Sequence, residues 1–336
     1  MRKSILLSLA TVALFSTTVQ ADTLDDVKKA GMIKCGVSTG LAGFSQKDEA
    51  GNWSGLDVDV CRGVAAAVLG DASKVSYKAL TAKERFTALQ SGEIDILSRN
   101  TTWTHTRDTS LGLNFAGVVY YDGAGFMVSK SLGVDSALKL DGAAACVQAG
   151  TSTELAIADY FRENNMKYKV VTFETSDQTR SGFESGRCDF LVSDQSQLYS
   201  LRIGLKDPAG AVVLPEVISK EPLGPVVRQG DDKWFNIVKW TVNASIEGEY
   251  QGVTSANAAE MAKSGKPGQL RLLGTEGDLG EKLGLSADWA HQIIKQVGNY
   301  SESFERNVGQ DSPLKISRGL NAQWNKGGIL YSPAMR

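Results

Sequence analysis

The sequence predicts an α/β protein of two related blocks that build one ligand site between them. Short strand-like runs alternate with helix-like runs along most of its 336 residues, the signature of parallel sheets covered by helices. A phrase also occurs twice: Ser91-Gly-Glu-Ile-Asp-Ile-Leu97 returns as Ser185-Gly-Arg-Cys-Asp-Phe-Leu191. Each copy comes after a helix-like stretch, its Gly reads as a helix stop, and the apolar residues behind that Gly read as a short buried strand. Each then runs into a polar cluster, Asn100-Thr101-Thr102 and Ser193-Asp194-Gln195.

Arg2-Lys3 precede an apolar run, Ile5 to Phe15, and Val19-Gln20-Ala21 stands before an acidic start at Asp22. This is the pattern of a secretory signal peptide over residues 1–21, with a retained anchor as the alternative. The run is shorter than the roughly 20 residues that a spanning helix needs. The mature chain is expected to lie in the periplasm. Removing residues 1–21 takes two basic residues and no acidic ones, so the balance of −2 becomes −4. Such a dispersed, slightly acidic charge gives no footprint for nucleic acid. The remaining length suits two lobes better than one core.

In order, a helical start at Leu24–Ala30 leads to a strand at Ile33–Val37 and a turn-rich loop reaching Gly51-Asn52. Val58–Leu69 has apolar residues at helical spacing. Strand Lys74–Ala79, helix Lys83–Ser91 and strand Ile94–Ser98 come next, then an extended apolar run, Gly117–Val128, rich in Val, Tyr and Phe. From Ser129 the alternation repeats: strand Ala144–Gln148, helix Thr153–Asn165, strand Val170–Phe173, helix Thr175–Ser185, strand Asp189–Ser193, helix Gln195–Ile203 and strand Val212–Leu214. Gly224–Arg228 is extended again, and Trp- and Ala-rich helical segments lie beyond it. The expected division is residues 22–128 plus 222–336 as lobe 1 and 129–221 as lobe 2, joined by two crossings near 127–131 and 219–224.

Four cysteines in an oxidising compartment allow three pairings. Cys35–Cys61 with Cys146–Cys188 is the pairing that never links the two blocks; free buried thiols are the alternative.

These residues resemble the polar-amino-acid solute-binding proteins of bacterial ABC uptake systems. Gly55-Leu-Asp-Val-Asp-Val-Cys-Arg62 and Arg85-Phe-Thr-Ala-Leu-Gln-Ser-Gly-Glu-Ile-Asp95 look like the family's signatures, and the resemblance runs from about Thr23 to Ile246. Arg306-Asn-Val-Gly309 and Gly319-Leu-Asn-Ala-Gln-Trp-Asn-Lys-Gly-Gly328 are similar to segments of the general L-amino-acid-binding proteins. The resemblance implies a two-lobed periplasmic-binding-protein ("Venus flytrap") fold with a two-strand hinge, a free L-amino acid as ligand, a membrane permease with a cytoplasmic ATPase as partner, a monomer, and no cofactor.

An amino acid offers a carboxylate, which a guanidinium fork meets with two charge-assisted hydrogen bonds. The resemblance implies that role for Arg107, with Asn100 and Thr102 beside it; a plain surface arginine is the alternative. Asp194 matches the family aspartate that takes the ammonium, although Asp is also a favoured helix cap and Gln195 starts a helix. Gly150-Thr-Ser-Thr-Glu154 resembles the segment that meets the carboxylate from the other lobe through Thr151, Ser152 and the helix start; a Thr151/Glu154 capping box explains part of it equally well. Arg85 matches a position that reaches side-chain carboxylates in acidic-amino-acid binders, or packs on its helix. Ser38, Leu41 and Phe44 lie where family members contact the ligand side chain. Leu41 stands where many carry an aromatic, and Ser176 near a position that can be basic in dicarboxylate binders. Small or neutral residues at such points imply a broad pocket. Trp103 lines the pocket or packs beneath it.

Some relatives of this fold are enzymes, notably cyclohexadienyl dehydratases, and a secreted sensor would share the same binding chemistry. An enzyme needs a positioned acid or base; His105 and His291 are the only histidines, and no His-x-x-x-His or Cys-x-x-Cys pair offers a metal site. The expectation is a binding protein without catalytic residues.

Overall fold

The computed structural model describes residues 22–336. The expected signal peptide lies outside the described residues. Two five-stranded sheets organise the chain, and both are built on one plan. In the first the strand order is Val75–Leu80, Ile33–Ser38, Ile96–Leu97, Val226–Arg228, Leu113–Phe115. In the second it is Lys169–Phe173, Ala144–Gln148, Phe190–Asp194, Ala124–Ser129, Ala211–Val213. The first three strands of each sheet are parallel and the fourth is antiparallel to the third. The repeated phrase therefore supplies the third strand of both sheets. Its polar tail leaves each sheet at the carboxyl end of a parallel strand, where α/β folds place ligands.

The fourth strand of each sheet arrives from across the junction. Ala124–Ser129 pairs with Phe190–Asp194 and Ala211–Val213, inside the second sheet. The expected boundary at 128/129 is thus too late, and the first passage between lobes falls at residues 120–123. The apolar run Gly117–Val128 reads as one extended segment, but it breaks at Gly123. A Cβ on Gly123 would lie 2.3 Å from Val217 Cγ1. Tyr120–Asp122 pairs instead with Glu221–Leu223, antiparallel, as a two-stranded ribbon joining the lobes. Beside it, a Cβ on Gly224 would stand 1.9 Å from the Gly117 carbonyl oxygen, so only glycine lets the two crossing chains approach this closely.

Cys35–Cys61 and Cys146–Cys188 are bonded, one bridge in each lobe, with Cα atoms 6.3 and 5.5 Å apart. Each ties a central strand to its neighbourhood beneath a buried apolar cluster. After Arg228 the chain stays with the first lobe. The long helix Asp232–Gln251 packs on helix Leu56–Leu69 and carries the helices Trp289–Val297 and Tyr300–Asn307. Trp289, Ile293 and Ile294 fill one cluster there; Phe304 and Tyr300 fill another with Phe44 and Leu56. Buried Asp59 fastens this addition, accepting from Ser303 Oγ and Asn307 Nδ2 at 2.7 Å each and from Arg306.

Candidate ligand-binding site

The site begins with a backbone oddity. Asn100 adopts φ 33°, a left-handed conformation that Asn tolerates better than most residues. Its N–H donates to Asp57 Oδ2 at 2.8 Å, from the first turn of helix Leu56–Leu69. The turn throws Thr101–Trp103 sideways onto the ribbon: Trp103 N–H donates to the Pro222 carbonyl and Gly224 N–H to that of Thr101. Thr102 is thereby held at the ribbon's edge, bridged to Leu223. Arg107 comes next on the short helix His105–Ser110 and donates through Nη1 to the Thr102 carbonyl at 2.9 Å. It is a buried arginine, not a surface one.

Arg85 is buried too, at 2 % exposure, so it does not pack on its helix surface. It donates to Thr101 Oγ1 and, across the lobes, to the Gly150 carbonyl, both at 3.4 Å, while its Nε has no partner. Arg85 and Arg107 flank the Phe86 ring, 4.8 and 5.2 Å from its centroid. Burial and then the neighbouring Arg107 and Arg99 push the Arg85 guanidinium well below its usual range.

Facing these cations are acids. Asp194 ends the strand Phe190–Asp194 and precedes helix Gln195–Ile203, yet makes no capping hydrogen bond. The cap is supplied by Asp122 of the ribbon, whose Oδ2 accepts the Ser196 N–H at 3.2 Å. That arrangement leaves Asp194 without a capping role. Burial, and then Asp122 and Glu221, raise its carboxyl well above the ordinary range, while Arg85 and Arg107 pull it down. Asp122 is raised to about 6, chiefly by burial. Asp189 is occupied elsewhere, accepting the Ala144 N–H at 2.7 Å.

Ser152 lies between the two sides. Its hydroxyl is 3.1 Å from Thr102 Oγ1 in the other lobe and donates to Glu221 Oε2 at 2.8 Å. The Thr151/Glu154 capping box does not form: Thr151 Oγ1 donates to the Gln148 carbonyl, and Glu154 accepts the Gly150 N–H instead. A second link crosses deeper, where Asn100 Nδ2 donates to Gln197 Oε1 at 3.0 Å. Gln197 Nε2 reaches Ser176 Oγ, which donates to Gln148 Oε1. Lys83–Glu174 at 2.7 Å and Ser200 Oγ to the Ala42 carbonyl at 2.9 Å also cross between the lobes.

Other expected residues lie apart from this polar cluster or at its margin. Leu41 packs among Phe44, Leu56, Tyr120 and Leu314, so an apolar cluster takes up its side chain and that of Phe44. Trp103 stacks on Phe115, with ring centroids 5.5 Å apart. Ser38 is buried with its hydroxyl unpartnered. Gly36-Val-Ser38-Thr-Gly40 has the spacing of a hydrolase nucleophile elbow, but that hydroxyl has no base hydrogen-bonded to it, and His105 is exposed. Among the described residues no cluster of His, Cys, Asp or Glu could hold a metal ion.

Like charges crowd each side of the cleft: arginine against arginine, carboxylate against carboxylate. A molecule with an anionic and a cationic end relieves both at once. Two similar lobes, a ribbon between them and such a cleft define a solute-binding protein of the flytrap type. The family of bacterial extracellular solute-binding proteins, family 3, matches residues 33–256, and the chain belongs to it. It is 62% identical over 315 residues, 94% of this chain and 92% of the relative, to the putative amino-acid ABC transporter-binding protein YhdW of Escherichia coli K12. It is 59% identical to the general L-amino acid-binding periplasmic protein AapJ of Rhizobium johnstonii, over 97% of this chain and 96% of that one. A solved structure of a periplasmic binding protein from Brucella ovis with glutathione bound has a TM-score of 0.92 at 57% identity, covering 94% of this chain and all of that one.

Proposed function

We propose that this protein captures L-amino acids of varied side chain in the periplasm and hands them to an ABC-type permease. One observation carries the reading: buried Arg107 and Arg85 stand on one lobe, and Asp194, relieved of capping its helix, is presented by the other. The carboxylate docks on Arg107 and Thr102 of lobe 1. Closure brings Asp194 onto the ammonium and Ser152 onto the carboxylate, and the closed state is selected because both ligand charges are paired only there. The relatives' names support amino acids as the class and breadth as the habit, and the neutral string Gln148–Ser176–Gln197 agrees with breadth, since amides and hydroxyls both donate and accept. The protein acts as a monomer after loss of residues 1–21, binds without converting its ligand, and meets the permease's membrane subunits in its closed form.

Calorimetric titration with a panel of L-amino acids is the test, with ligand recovery after long incubation. Binding of acidic, neutral and basic members with unchanged recovery is expected. One amino acid bound far more tightly than all others would overturn breadth, and a chemically altered ligand would overturn simple capture.

A further inference from the structure

The C-terminal addition touches the ribbon that joins the two lobes. Tyr121 is the middle residue of the ribbon strand Tyr120–Asp122 and stands opposite Pro222. Proline has no N–H to give, so this pair cannot exchange hydrogen bonds, and the Tyr121 N–H and carbonyl turn to the ribbon's outer edge. Both are met there by a single side chain from 200 residues away. Asn321 Oδ1 accepts the Tyr121 N–H at 2.7 Å, and its Nδ2 donates to the Tyr121 carbonyl at 3.1 Å. One amide thus imitates a third strand on the open edge.

The amide is held firmly. Asn321 is 3 % exposed, and Arg318 donates to its carbonyl through Nε and Nη2 at 3.1 and 2.9 Å. Arg318 in turn pairs with Glu249 of the long helix at 2.8 Å and lies over the Phe304 ring. Tyr300 adds a bond from its hydroxyl to the Val119 carbonyl, 2.8 Å, just before the strand. On the ribbon's other edge sits Trp103 N–H, bonded to Pro222 beside Thr102. From Tyr121 the strand continues into Asp122, which holds the helix that begins beside Asp194.

We infer that Asn321 is a positioning residue for ligand capture, and that the C-terminal addition is a built-in brace of the hinge. By clamping Tyr121, it opposes the backbone rotation that opens the lobes and keeps Asp122 in register under the helix that follows Asp194. It touches no ligand, so its removal acts on opening alone, and equally for every ligand. Only the kinetic arm of the test rests on the amino-acid reading.

Asn321→Leu removes both hydrogen bonds at nearly constant volume; Asn321→Asp keeps an acceptor for the N–H and loses the donor. The first readout is the dissociation rate of L-alanine and of L-glutamate by stopped flow; the second is the radius of gyration of the ligand-free protein in solution. Asn321→Leu is expected to speed dissociation of both by a common factor of about five to ten, as hinge-gated release requires, and to enlarge the ligand-free molecule. Asn321→Asp should move both readouts the same way by less, and it decides the matter if the leucine variant does not fold. Unchanged rates and radius in a variant that melts like the parent would overturn the inference, as would factors that differ severalfold between the two ligands. If neither amino acid binds the parent protein, the functional proposal fails, and the radius alone then decides for or against the brace.

Discussion

Asp194 shows how one side chain is kept out of a structural role that its position invites. Its position before helix Gln195–Ile203 invites capping, and Asp122 discharges that duty from the ribbon instead. Asp194→Ala should cost at least about 2 kcal/mol in binding, because it strands a buried ammonium; calorimetry checks this, and unchanged affinity would remove Asp194 from the site. Arg107→Lys keeps the charge but loses the planar fork, so a rise in Kd of about tenfold or more is expected for every amino acid. The acids also fix a pH response. Burial, and then Asp122 and Glu221, raise the Asp194 carboxyl, whereas an ammonium docked on it, as proposed, favours the ionised form. Affinity should therefore weaken as pH falls, because a protonated Asp194 must be discharged before it can pair with an ammonium. Affinity that is flat from pH 8 to 5 would contradict this.

At the scale of elements, the sequence reading is sharp where pattern is dense. Helix Gln195–Ile203 has the bounds its composition predicts, and the strand after each Ser-Gly phrase is where the phrase implies. It fades at the ribbon, because Tyr120–Asp122 and Glu221–Leu223 are three residues each and carry no periodicity. Asp122 and Glu221 go unseen in sequence for that reason, as does Gln197, whose partner Asn100 is 97 positions away. Leu41 shows another limit: its side chain packs with Phe44 and Leu314, a burial that its place in the loop does not announce. The ribbon also supplies a stability test. Gly224→Ala would drive a Cβ into the Gly117 carbonyl oxygen, and a loss of several degrees in melting temperature is expected; an unchanged melt would mean that the crossing chains part easily.

Taken whole, the molecule is two copies of one plan, each with its own bridge and its own fourth strand brought from the far side of the ribbon. Cys146–Cys188 closes 42 residues of the second lobe. Replacing that pair with serines should cost about 2–4 kcal/mol on melting, with little change in Arg107-side recognition once folded. The strand exchange also has a consequence in time. All five strands of the second sheet lie between residues 124 and 213, whereas the first sheet cannot seat Val226–Arg228 beside Ile96–Leu97 until the entire second lobe has emerged. A chain threaded amino end first would complete its later-encoded half while its earlier half still shows a raw sheet edge.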